Sequence, residues 1–236
     1  MLNRRLLELF LSIRLILQVS NEARIKKRAI LKEELIMKTM RTTNGGLVIG
    51  ALLLLVGFLG LTQWEWAWSA LFIGGLAAWA VAFKKDSLQV LTFPKKVWMI
   101  PLGVLLYFVT SMLIGLIASA AGMEWVANPA AGHLGQIALM VPFMLMGEEL
   151  LGIGVLEGAR SKGLSMWMST LLSALVFGLM HIPSYWDGSF VSTLLHVLLL
   201  QGVARLIFNY IYIKTGRSIF GSWIAHMIVD FIALSF

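Results

Sequence analysis

The chain has 236 residues, 59% of them hydrophobic and only 13% charged, a balance that belongs to polytopic membrane proteins and lies outside the soluble range. Its net charge of +7 does not point to nucleic acid, because ten of the 19 Lys and Arg residues fall in the first 41 positions and most of the others border apolar spans. The absence of cysteine excludes disulfides, thiolate catalysis and thiolate metal sites.

Residues 1–41 read as a basic, amphipathic cytoplasmic segment. Leu6, Leu7, Phe10, Ile13 and Leu17 recur at helical spacing, with Arg4, Arg5, Glu8 and Arg14 between them. Such a helix either lies on an anionic leaflet or only sets topology. Arg14 breaks the early apolar stretch and no small-residue cleavage site follows, so it does not read as a cleaved signal peptide. Translation from Met37 or Met40 would leave the segment out altogether.

Residues 42–236 read as one helical membrane domain. Seven apolar spans follow Asn44-Gly45-Gly46, at 46–62, 66–83, 97–120, 135–156, 164–182, 190–213 and 218–236. The basic loops alternate: the N-terminal segment, Lys84-Lys85 with Lys95-Lys96, Arg160 with Lys162, and Lys214 with Arg217 fall on one side. The positive-inside rule then places the N-terminus in the cytoplasm and the C-terminus outside. Trp64, Trp66, Trp68, Trp98, Trp125, Trp186 and Trp223 sit near span ends, as interfacial belts do.

The fourth span, GQIALMVPFMLMGEELLGIGVL, carries Glu148 and Glu149 side by side. An ionised carboxylate in hydrocarbon costs at least ~2.5 kcal/mol, so the pair is expected to face a bundle interior or a wet cavity. The fifth span ends in His181, with Phe177 four residues earlier on the same helical face and Pro183 just beyond. The sixth carries Gln201, Arg205 and Asn209 at i, i+4 and i+8, and the seventh carries His226 and Asp230 four apart. His133 is expected in an outer loop, and His196 as an interhelical hydrogen bonder. The first three spans are nearly bare of such groups. A Glu pair, a His and a His-x-x-x-Asp supply a general base for water and donors for an oxyanion, or ligands for a metal with an open position. Linear counting leaves one mismatch: Glu148 lies past the midpoint of its span and His181 near the outer end of its own.

These motifs resemble those of the CPBP (Abi) family of intramembrane proteases, which includes the type II CAAX prenyl endopeptidases and bacterial bacteriocin-processing or immunity proteins. The family pattern runs Glu-Glu-x-x-x-Arg, Phe-x-x-x-His and His-x-x-x-Asn or Asp; here it is met at Glu148-Glu149, Phe177 to His181, and His226 to Asp230. The resemblance covers about residues 140–236. One position departs: Ile153 stands where the family has Arg, and Arg205, placed within a span, is the candidate substitute.

The resemblance implies an all-α bundle of seven to eight transmembrane helices around an intramembrane polar cavity. It implies endoproteolysis of a membrane-associated peptide or protein, with Glu148 or Glu149 activating water and His181, His226 and Asp230 assisting. Phe177 and Arg205 would support them. The family is described both as metal-dependent, for which His181, His226 and Glu149 would be the zinc ligands here, and as metal-free. No His-Glu-x-x-His spacing is present. A short, loop-poor chain fits the family's prokaryotic branch and a bacterial plasma membrane, and no nucleic-acid partner is expected. Two rival readings stay open: a catalytically impaired member acting as a membrane scaffold, immunity or regulatory protein, and a small transporter or proton relay.

Overall fold

The computed structural model describes residues 39–235 together with Arg14 and Gln18. The chain divides into two units, Met1–Lys38 and Thr39–Phe236. The amphipathic reading of 1–41 falls almost wholly outside the described residues. In the second unit no strand occurs among the described residues.

Each of the seven apolar spans is helical. We label the helices α1 (Asn44–Gln63), α2 (Ala70–Ala82), α3 (Met99–Ala120), α4 (Val141–Ser161), α5 (Met166–Met180), α6 (Phe190–Lys214) and α7 (Ile219–Ala233). By length and composition α1, α3 and α6 are long and apolar enough to cross a membrane; α2, α5 and α7 are apolar but shorter. A helix the length of α2, 13 residues, reaches only about 20 Å of the ~30 Å hydrocarbon core. The 21 residues of α4 include Glu148, Glu149, Glu157 and Arg160, too many charges for a simple span.

Local chemistry sets these boundaries. Thr43 caps α1 by accepting the Gly46 N–H at 3.0 Å, and Ser165 caps α5 by accepting that of Met168. The buried face of α1 is Gly46, Gly50, Gly57 and Gly60, and it seats α2 closely. Helix α4 then packs against α2, α5 and α7, while α6 packs against α3, α5 and α7. An apolar cluster of Trp79, Leu150, Ile153, Leu156, Tyr212 and Ile219 fills the space around α4. A second cluster, built from Val104, Ala204, Phe208, Ile211, Ala225 and Val229, joins α3, α6 and α7.

The fourth span differs from its sequence reading. A short helix, Leu134–Ile137, precedes a turn, and α4 proper begins at Val141 with Pro142 in its first turn. Proline is tolerated there because the first amides of a helix have no intrahelical acceptor. Glu148 is therefore the eighth residue of a 21-residue helix and not past the midpoint of its span. His181 is the C-cap of α5. With α4 and α5 consecutive and antiparallel, the N-terminal part of one lies beside the C-terminal end of the other, which removes the mismatch in depth.

Candidate active site

Glu149 is completely buried, and so is the side chain that meets it, Arg205 of α6. Arg205 Nη1 donates to Oε1 at 2.8 Å and Nη2 to Oε2 at 3.0 Å, a bidentate fork. Ser222 of α7 donates to Oε2 and accepts from Arg205 Nη2 at 3.0 Å. His226 Nδ1 lies 2.9 Å from Oε1. Two neighbouring helices thus close on one carboxylate of α4, and both of its oxygens carry two partners.

Glu148 has a different environment, although it is the next residue. Its side chain keeps 17% exposure, and that of Asp230 keeps 24%. His226 Nε2 stands 3.8 Å from Glu148 Oε2 and 3.7 Å from Asp230 Oδ1. Those spacings are too long for direct hydrogen bonds and short enough for one water to bridge. A 100° step per residue turns adjacent helical side chains to different faces, so a Glu-Glu pair delivers one carboxylate to the interhelical seam and one to the adjoining space.

His181 joins through aromatic packing. Its Nδ1 donates to the Phe177 carbonyl at 2.7 Å, leaving Nε2 as the free ring nitrogen. The Phe177 ring is 4.7 Å from His181 and 6.3 Å from His226, and Phe208 stacks on His226 at 4.4 Å. Phe177 and Phe208 also flank the Arg205 guanidinium at 5.4 and 5.5 Å. Beyond His181, buried Tyr185 packs on His196. The structure thus brings Glu148, Glu149, Phe177, His181, Arg205, His226 and Asp230 to one region of the bundle.

The loop following His181 is held by Asp187, which accepts from the Ser189 amide at 2.8 Å and from Thr193 Oγ1 at 2.9 Å. Hydrogen bonds from Ser192, Ser189 and Thr193 hold its carboxyl below the ordinary aspartate range.

Of the zinc set His181, His226 and Glu149, the Glu149 oxygens hold Arg205, Ser222 and His226 in this arrangement. Among the described residues no group of three or more His, Cys, Asp or Glu is arranged to hold a metal ion. Other expectations are revised by the geometry. His196 does not hydrogen-bond through Nδ1; it stacks on Trp125 at 4.8 Å. Arg160 and Arg217 are not loop cations in solvent. Both are buried around Glu157, whose Oε1 accepts from Tyr212 at 2.9 Å and from Arg217 Nε at 3.0 Å. Helix α4 runs on past Leu156 to Ser161 and carries Glu157 inside with it.

Two participants escaped the sequence reading. Ser222 was legible in principle, since it precedes His226 by the same four residues that separate His226 from Asp230. Gly152 was not: its importance comes from Arg205, which reaches it from another helix.

Residues 129–232 match the family model described as type II CAAX prenyl endopeptidase Rce1-like. That stretch contains every residue of the site, and the match agrees with the CPBP relation carried by the three motifs. The matched family is one of proteases, and together with the apolar helices it supports a membrane peptidase. No curated protein and no solved structure matches the chain.

Proposed function

We propose that this protein is an intramembrane endopeptidase that hydrolyses a membrane-associated peptide, with Glu148 as the base that activates water. The observation that carries this reading is the contrast between the two glutamates. Glu149 is saturated by Arg205, Ser222 and His226, whereas Glu148 retains accessible surface beside His226 Nε2 and Asp230. In this scheme a water held among those three groups gives a proton to Glu148 as its oxygen attacks the peptide carbonyl. Doubly protonated His226, oriented by Glu149 through Nδ1, donates from Nε2 to the developing oxyanion. The C–N bond then breaks, and Glu148 returns the proton to the leaving amine. Asp230 and His181 orient the water and the departing group.

Under the same reading all seven helices cross the bilayer, with the basic loops and residues 1–41 on the cytoplasmic side.

The test compares peptide termini from membranes and medium of cells producing wild type or Glu148→Gln at equal abundance. Termini that appear only with the wild type support the endopeptidase and name its substrate. Identical termini would overturn the reading in favour of a membrane scaffold.

A further inference from the structure

Resting on the endopeptidase reading, we propose that Arg205 is a positioning residue that serves from α6 where the motif places an arginine on α4, and that Gly152 is the vacancy that admits it.

The position the motif reserves for arginine is committed to packing. Ile153 is fully buried among Trp79, Leu150, Leu156, Tyr212 and Ile219. A carboxylate as deeply buried as Glu149 still requires a cation, because an uncompensated buried charge is strongly destabilising. Arg205 meets that requirement from 56 positions away in the chain.

The space it occupies is defined on α4. Gly152 follows Glu149 by three residues and so shares its helical face. A Cβ on Gly152 would lie 2.7 Å from Arg205 Cδ and 2.8 Å from Nη1. The guanidinium has little freedom to yield, since it is forked onto Glu149, bonded to Ser222 and flanked by two phenyl rings. The backbone at this point is anchored as well: Ser173 donates to the Gly152 carbonyl at 2.7 Å, and Asn209 Nδ2 donates to Ser173 at 3.1 Å.

Helix α6 is shaped to make the delivery. Residues Val197–Gly202 form a π-helical turn just before Arg205, and such turns re-register the side chains that follow and recur at functional sites. Gly178 of α5 seats this turn, because a Cβ there would lie 2.9 Å from the Val197 carbonyl. Arg205 thereby fixes Glu149, Glu149 fixes His226 Nδ1, and Nε2 is left facing Glu148 and Asp230.

The experiment measures the ratio of cleaved to uncleaved substrate termini, and the thermal midpoint of purified protein, for wild type, Glu148→Gln, Arg205→Lys, Gly152→Ala, Arg205→Leu and the double variant Ile153→Arg, Arg205→Leu. Lysine keeps the charge and loses the fork; alanine at 152 favours helix, so a purely structural glycine would tolerate it or gain. Arg205→Lys and Gly152→Ala are expected to lower the ratio roughly tenfold or more, as displacement of a positioning group does, with folded protein still recovered. The double variant is expected to recover part of what Arg205→Leu loses. Wild-type ratios in Gly152→Ala or in Arg205→Lys would overturn the proposal while Glu148→Gln still abolishes cleavage. Should Arg205→Leu fail to accumulate, Gly152→Ala and Arg205→Lys decide the matter. Unchanged termini in Glu148→Gln would instead remove the endopeptidase reading itself, and the positioning role with it.

Discussion

The imidazole of His226 stands between two consecutive glutamates of another helix, with Nδ1 2.9 Å from Glu149 and Nε2 3.8 Å from Glu148. One ring therefore links a buried, fully engaged carboxylate to one that is partly accessible. That division of environment predicts different outcomes for two chemically identical substitutions.

Glu148→Gln is expected to abolish cleavage, a loss of roughly 10²–10⁴-fold for removal of a general base, with little change in thermal midpoint. Glu149→Gln is expected to fail differently. It strands the Arg205 guanidinium in a buried site, a change that costs about 3–5 kcal/mol. Thermal unfolding of both purified variants separates the two: equal midpoints would contradict the assignment.

Ser222→Ala removes one neutral partner from the Glu149–Arg205 pair and leaves the ion pair in place. Hydrogen bonds to charged groups contribute about 1.5–3 kcal/mol, so the midpoint should fall while cleavage persists. Loss of cleavage at unchanged stability would assign Ser222 a direct role.

The second buried carboxylate predicts a purely structural effect. Glu157 is surrounded by Tyr212, Arg217 and Arg160, and it ties α4 to the α6–α7 turn. Glu157→Leu removes the buried carboxylate that Tyr212, Arg217 and Arg160 share, and loss of one partner of a buried ion pair costs about 3–5 kcal/mol. Tyr212→Phe removes one hydrogen bond and should cost on the order of 1–3 kcal/mol. Cleavage per folded molecule should be unchanged in Tyr212→Phe, read as product ratio normalised to folded protein.

Asp187 predicts a pH dependence on the loop that follows His181. Hydrogen bonds lower its folded pKa, so its contribution to stability is present above the unfolded aspartate pKa and is lost as pH falls through the lowered folded value. Thermal midpoints recorded against pH should show an acid-side decline in the wild type that is smaller in Asp187→Asn. Superimposable curves would show that these hydrogen bonds contribute nothing to stability.

Much of the fold was legible along the chain. Seven apolar runs became seven helices, because hydropathy over a long window reports burial in lipid or core whatever the neighbour. The site was legible as three pairs or stripes, since an i, i+4 spacing states which side chains share a helical face. Glu148-Glu149, Phe177 with His181, and His226 with Asp230 each belong to one helix and could be read that way, as could the polar stripe through Arg205 on α6.

The partnerships across helices were decided only in three dimensions. A helical period says that Arg205 and Asn209 share a face; it does not say that α4 presents Glu149 and a bare Gly152 to that face. Nor does it say that Glu157, Arg160 and Arg217 withdraw together into the interior instead of marking a loop. The start of α4 at Val141 and the π turn before Arg205 shift registers in ways that hydropathy does not record. Intrahelical spacing is a local property of the backbone, so the amino-acid sequence alone determines it. The choice of which buried charge meets which depends on how seven helices pack at once, because each carboxylate and guanidinium must find its compensating group wherever the packing places one.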